Sequence, residues 1–262
     1  MLIKENNELH WVTVNFLGGV VSVGDLFTLL VSLDDLGIRS IRLGARQQMF
    51  FQLTQKELSE LEYVFLNLDL PIFLGNSYQP NLLSSYVGEG IFNKPTWLRE
   101  GVYKDILDAF DFAPNLKINI VDGTQSFAPF FTGNLNFISS EISNYWFLYI
   151  RFPKTNKFYS WKSLVYSGDI APLCAFLDDK LTDQHIMVGA DLEAAAVESD
   201  SFLFQTPDRP FAGVTFKLPY YEGFNVYHDK LWLGIYRRNE DFSVAFLKDI
   251  CIVCQQSRII DY

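Results

Sequence analysis

The sequence predicts an α+β protein in which one small unit begins twice, with a domain of different texture between the two copies. Three observations predict it. Residues 10–74 carry strand and helix periodicities in the order β-α-β-β-α-β. Residues 76–205 follow another rhythm, with an irregular polar start and longer spacing between elements. Residues of the first unit then recur near the end of the chain at a constant offset of 221.

The elements of the first unit follow from local patterns. Residues 10–16 (HWVTVNF) alternate and are rich in β-formers, which predicts a strand. Gly18 and Gly19 make a turn, and Ser22 with Asp25 forms a capping box that opens a helix. Leu26, Leu29, Leu30, Leu33 and Leu36 give it an apolar face, and Gly37 ends it. Residues 38–44 and 46–53 predict two more strands. Thr54 and Glu57 form a second capping box, with Leu58, Leu61, Phe65 and Leu68 on one helical face; residues 71–74 (PIFL) close the unit as a strand. This order is the ferredoxin-like arrangement.

In the middle region, residues 76–92 predict an irregular loop and Leu98 to Phe110 a helix. Strands are predicted at 116–121, 135–139 and 145–152, and helices around 170–181 and 190–198. Beyond it, Trp232 stands 221 residues after Trp11, and Ser243, Val244, Leu247, Ile250, Ile252 and Ile259 answer Ser22, Val23, Leu26, Leu29, Val31 and Ile38 without a gap. The predicted division is 1–75, 76–205 and 206–262. Tyr262 falls opposite Ile41, inside the second strand of the unit, so the repeat predicts that the native chain continues and completes the second copy.

Composition excludes several function classes. Apolar residues make up 49% of the 262 and aromatic residues 16%, the balance of a chain with a buried core rather than a disordered one. A formal net charge of −10 disfavours nucleic acid and anionic lipid as partners. No run approaches the ~20 apolar residues of a membrane helix, and the polar start with Lys4 and Glu5 lacks the order of a signal peptide. Three cysteines do not make a disulfide framework, which points to the cytoplasm.

The segment 42–47 (RLGARQ) is similar to the R-L-T-T-R-Q segment of siroheme-dependent nitrite and sulfite reductases. Residues 80–81 (PN) ahead of LLSSYVGEGIF and residues 116–123 (LKINIVDG) resemble the pieces that follow it in that family. The order of pieces covers nearly the whole chain. The resemblance implies a ferredoxin-like half, then a tetrapyrrole-type α/β domain, then the start of a second ferredoxin-like half. It implies reduction of an oxyanion at siroheme, fed by an iron–sulfur cluster, with Arg42, Arg46, Gln47 and Asn81 as cofactor-contacting positions. Arginine suits the task, because its fixed fork of donors matches carboxylate and a tetrapyrrole of this kind carries many carboxylates. The departures are Gly44 and Ala45, where the family has threonines. The same arginines also read as a solvated strand end with surface ion pairs.

The resemblance places siroheme in the intact protein, between two halves, and none in residues 1–262 alone. The partners it implies are a C-terminal half of the same protein and a small electron-transfer protein or rubredoxin-like domain. A [4Fe–4S] cluster needs four thiolates. The family's C-x5-C and C-x3-C are absent here and belong to its C-terminal half. Cys251 and Cys254 form a C-x-x-C but stand opposite Leu30 and Leu33 in the repeat, so they read as small buried core residues rather than metal ligands, as does Cys174 in APLCAFL. His10, His185 and His228 lack metal-ligand spacing, and Asp34–Asp35 reads as a solvated helix end. Lys154, Lys157 and Lys162 follow the 145–152 strand; in the family lysines hold substrate anions. No P-loop, G-x-G-x-x-G or G-x-S-x-G occurs, and no catalytic residue is assigned. Two functions stay open: part of a nitrite/sulfite-reductase-like redox protein, or a non-catalytic descendant that serves as a binding or interaction scaffold.

Overall fold

The structure is a computed structural model that describes residues 9–68, 70–74, 80, 82–91, 96–123, 128, 131–154, 157–182, 223–227, 232–236 and 241–256. The chain forms two compact units, Met1–Tyr78 with Pro219–Tyr262, and Gln79–Leu218.

In the first unit, β1 (Leu9–Asn15), α1 (Val23–Asp35), β2 (Ser40–Gly44), β3 (Gln48–Thr54), α2 (Gln55–Leu68) and β4 (Ile72–Leu74) follow in chain order. Their sheet runs β4-β1-β3-β2, with each adjacent pair antiparallel. This is the ferredoxin-like topology that the order of elements predicts. The Thr54–Glu57 capping box forms, with Glu57 Oε2 accepting from Thr54 N at 2.7 Å and Thr54 Oγ1 from Glu57 N at 3.4 Å; at the first helix Ser22 Oγ caps by accepting from Asp25 N at 3.0 Å. Strand alternation sends Val12, Val14, Met49, Phe51 and Leu53 into one core with Leu29, Leu30 and Leu33 of α1 and Leu61 and Phe65 of α2. Trp11, Thr13, Phe50 and Gln52 consequently stand on the opposite face of the sheet.

The hairpin between β2 and β3 differs from the sequence reading, which carries the second strand back to residue 46. Ala45, Arg46 and Gln47 are a three-residue loop, with Gly44 paired to Gln48 and Gln47 in the left-handed region at φ 59°. A type I turn closed by a left-handed residue matches the strand twist, which explains the shorter strand. The loop is pinned from outside. Gly19 has φ 79°, and a Cβ there would overlap the Gln47 side chain. Gln48 Nε2 donates to Asn15 Oδ1 at 2.6 Å in a buried contact.

The second copy of the repeat lies in the same unit. β12 (Trp232–Tyr236) is Trp11 to Asn15 shifted by 221, and it pairs with β11 (Gly223–Tyr227). The last helix, α6 (Val244–Gln256), is α1 shifted by the same 221 at both ends. A two-residue strand before it, β13 (Phe242–Ser243), adds to the free edge of β2, and Val244 N donates to Arg39 O at 3.0 Å. The repeat's final strand falls in 257–262, outside the described residues.

The second unit holds β5 (Leu83–Ser84), α3 (Tyr86–Ile91), α4 (Glu100–Asp108), β6 (Ile118–Val121), β7 (Leu135–Ser139), β8 (Tyr145–Arg151), β9 (Phe158–Ser160), β10 (Val165–Tyr166) and α5 (Ile170–Thr182). Its sheet runs β10-β8-β7-β6-β5, parallel from β5 to β7 and antiparallel at β8, with β9 also on β8. All four residues of β6 are buried, as a parallel strand covered on both faces requires. One core joins Ile118, Ile120, Phe137, Trp146 and Trp161 to Tyr103, Ile106 and Leu107 of α4 and Cys174 and Leu177 of α5. Asp178 of α5 ties the approach to β6 by accepting from Asn115 N and Leu116 N at 3.0 and 2.8 Å. The segment predicted as an irregular loop, 76–92, contains β5 and α3; a two-residue strand and a six-residue helix are too short to leave a periodic signal. The helix predicted at 190–198 lies outside the described residues. Among those residues, no helix is long and apolar enough to cross a membrane.

Candidate functional site

The face of the first unit's sheet opposite its core carries a cleft of about 310 Å³. β1 supplies Leu9 and Trp11, β3 supplies Phe50 and Gln52, and β2 with the loop before it supplies Arg39, Ser40 and Arg42. The register explains the grouping, since Trp11 stands across from Gln52 and Arg42 across from Phe50. Asp241, just before β13, completes the wall.

Arg42 is the polar centre of this cleft. Its guanidinium carbon lies 5.6 Å from the centroid of the Trp11 ring, within reach of a cation–π contact. Its Nε donates to Asp241 Oδ1, and that bond, with the charge behind it, raises the Arg42 pKa above its ordinary value. Both partners are open to solvent, at 59% and 42% exposure, so water screens the pair and an incoming anion can take the place of Asp241. Arg39 is similarly exposed and pairs with Asp34. The cleft thus offers two arginines above aromatic walls, which suits a planar ligand with carboxylate groups.

The four site residues implied by the resemblance have different fates. Arg42 lines the cleft. Arg46 sits in the hairpin loop with 7% of its surface exposed and is not part of the lining; Gln47 follows it, wedged against Gly19. Asn81 lies outside the described residues, as do His185 and His228. Gly44, where the family has threonine, has a local cause: the ring of Phe50 occupies the space a Cβ would need. A larger residue at 44 and an aromatic residue at 50 compete for one volume. Sequence reasoning missed Trp11, Phe50 and Asp241. The alternation of β1 and β3 could have found the two rings, but Asp241 is 199 residues from Arg42 and leaves no local signal.

Thiol chemistry has little purchase here. Cys251 and Cys254 are buried in the core with Leu30 and Leu33. Burial, then the neighbouring Cys254, pushes the Cys251 thiol up to about 11, and burial raises Cys254 too. Cys174 is raised well above its ordinary value by burial and then by Asp178. Thiols held protonated are poor nucleophiles and ligands. Among the described residues, no group of three His, Cys, Asp or Glu side chains could hold a metal ion.

The second unit carries a buried polar group of its own. The Tyr103 phenol is raised well above 10.0 by burial, then by Asp122 and Glu89, and stays protonated. Ser85 Oγ is near enough to favour the ionised phenol slightly, but among the described residues neither hydroxyl reaches hydrogen-bond geometry with a partner.

The fold has a solved counterpart. It is similar to the NirA protein of Mycobacterium tuberculosis, with a TM-score of 0.62 and 12% sequence identity over 94% of this chain. The chain spans about half of that protein, 50% of its length. At that identity the likeness is one of fold. No protein-family model matches the sequence, and no curated protein matches it.

Proposed function

We propose that the chain is the N-terminal part of a nitrite/sulfite-reductase-like redox protein, and that the Arg42 cleft receives a carboxylate arm of its tetrapyrrole. The observation that carries this is Arg42 itself: an exposed guanidinium stacked over Trp11 and held by a solvent-screened, exchangeable partner. The fold likeness and the order of family-like segments support the same reading. The fit is partial. A volume of about 310 Å³ is at the small end of ligand sites, so the cleft suits an arm and one edge of a macrocycle rather than the whole ring. Arg42 would hold the arm, Trp11 and Phe50 would face the ring edge, and Arg46 and Gln47 would fix the hairpin that aims β2. Siroheme, when bound, supplies the redox centre for reduction of an oxyanion. The remaining contacts would come from outside residues 1–262, so this chain alone should be purified without pigment.

The test is a titration of the chain with uroporphyrin, an octacarboxylate tetrapyrrole, followed by quenching of tryptophan fluorescence. Weak saturable binding is expected, reduced at least tenfold by Arg42→Ala. Each charge-assisted hydrogen bond contributes on the order of 1.5–3 kcal/mol, which makes a tenfold loss a low threshold. Binding that ignores Arg42→Ala sinks the proposal and leaves the scaffold reading. An arginine that serves only as a surface ion pair predicts that result.

A further inference from the structure

Four rings of the second unit stand in series. Tyr86 of α3 meets Tyr103 of α4 with centroids 6.0 Å apart, Tyr103 meets Trp146 of β8 at 6.2 Å, and Trp146 meets Trp97 at 5.5 Å. All three contacts are edge-to-face. Tyr103 and Trp146 are fully buried, whereas Tyr86 and Trp97, at the two ends, are half-buried. The row therefore runs from one solvent-touching ring to another through the core. Phenol and indole give up one electron more readily than a phenyl ring, and rings in contact exchange it fastest, because tunnelling falls steeply with distance. Phe is the commonest aromatic residue of the chain, 24 against 13 Tyr and 5 Trp, yet the row contains none.

The four rings differ in what their polar hydrogens meet. Trp97 Nε1 donates to the Ser140 carbonyl at 2.7 Å and Trp146 Nε1 to Ser167 Oγ at 2.9 Å, both weak bases that leave an oxidised indole its proton. The Tyr103 hydroxyl has no hydrogen-bond partner among the described residues, so its proton has no direct acceptor. Tyr86 is the exception. Its hydroxyl donates to Glu100 Oε1 at 2.7 Å, the geometry of a proton about to transfer. Lys104 Nζ lies 2.7 Å from the same oxygen and keeps the carboxyl ionised, ready to accept. Burial, then Glu100, pushes the Tyr86 phenol up to about 12, so the proton stays on Tyr86 until an electron leaves the ring. An indole radical can oxidise a phenol downhill when the phenol's proton has a base to go to, which sets the direction of the row.

We propose that this row is a one-electron relay that carries an oxidising equivalent from Trp97 through Trp146 to Tyr86, with the Tyr103 ring as the bridge and Glu100 as the proton acceptor. The oxidant is a peroxide- or oxygen-derived radical, which takes an electron from Trp97 and a proton from water. Trp146 refills Trp97, and Tyr86 refills Trp146 across Tyr103. As Tyr86 loses its electron, its phenol proton moves to Glu100 Oε1, leaving a neutral phenoxyl radical beside a protonated carboxyl. A small thiolate at the surface then gives one electron to the phenoxyl and becomes a thiyl radical, while Glu100 returns the proton. The relay lies wholly in the second unit and is independent of the tetrapyrrole reading of the Arg42 cleft.

The probe is a ruthenium polypyridyl photo-oxidant tethered beside Trp97 through Thr96→Cys. Thr96 is exposed and the three native thiols are buried, so the label attaches at position 96. After flash-quench oxidation of the 262-residue protein, transient absorption separates indole from phenoxyl radicals. An indole radical is expected first, followed by a phenoxyl radical. Tyr86→Phe, which keeps the half-buried ring, should lower the phenoxyl yield at least tenfold and prolong the indole radical. Glu100→Gln, which still accepts a hydrogen bond but cannot take the proton, should slow phenoxyl formation at least tenfold. A phenoxyl signal that persists in Tyr86→Phe, a rate unmoved in Glu100→Gln, or an indole radical that never passes to a phenol overturns the proposal. Rings that serve packing alone predict those results.

Discussion

α1 and α6 are the same helix built twice, and they solve the same packing problem with different side chains. Both start after a serine, run thirteen residues and share three buried positions, Val23, Leu30 and Leu33 on α1 and Val244, Cys251 and Cys254 on α6. α1 fills two of those positions with Leu30 and Leu33, fully buried; α6 fills them with Cys251 and Cys254, at 3% and 5% exposure. What the repeat preserves is the spacing that points a stripe at the core. Volume is free to change, provided the neighbours close around it.

That difference predicts unequal costs for equal truncations. Leu30→Ala removes a large buried side chain and leaves a cavity, for a loss of roughly 3 kcal/mol, within the usual range for buried leucine. Cys251→Ala removes one sulfur from the equivalent site and should cost about 1 kcal/mol. Urea unfolding of the two variants measures both. Equal losses would show that α6 is packed as tightly as α1 and that the repeats differ only in chemistry.

The cysteines also give the second copy a titration that the first lacks. The ordinary thiol value is 9.0, and burial moves Cys251 to about 11. Between those values the unfolded chain releases the proton and the folded chain keeps it, so rising pH favours unfolding. The stability is fully present below about 9 and is lost as pH rises through 11. Cys254 is raised in the same direction and adds to the same slope. Unfolding free energy measured from pH 8 to 11 should fall more steeply for the parent than for Cys251→Ala. Parallel profiles would mean that the thiol is more open to water than its packing indicates.

The parts of the fold legible in the sequence were those with several turns of periodicity or a cap. Ser22 with Asp25 and Thr54 with Glu57 mark both helix starts, and alternation gives β1 and β3 their faces. Elements that exist only through tertiary pairing left no trace: β13 is two residues long and forms because Phe242 and Ser243 pair with β2 while Val244 reaches the backbone of Arg39 just before it. The site was legible in the same uneven way. Arg42 stands out as an arginine in a strand, but the pairing of Arg42 with Asp241, 199 residues away, depends on how the second copy meets the first and has no local cause.

The smallest expected effect concerns the polar tie between the two helices. Asp34 accepts from Lys248 at 2.7 Å and also from Arg39, and the Lys248 hydrogen bond is the main reason its carboxyl lies below the ordinary value of 3.8. A depressed carboxyl stabilises the fold above its unfolded value, and that contribution is lost as pH falls through the folded value, so the window lies below about 4. All three groups retain solvent contact, which limits the tie through screening. A double-mutant cycle with Asp34→Asn and Lys248→Met isolates it, since methionine keeps the apolar stem and removes the charge. The expected coupling is smaller than the loss in Cys251→Ala, shrinks with added salt, and declines as pH falls below about 4. A coupling that survives both salt and acid would show that the tie is shielded from water, and that the two copies are joined by charge as well as by the apolar stripe.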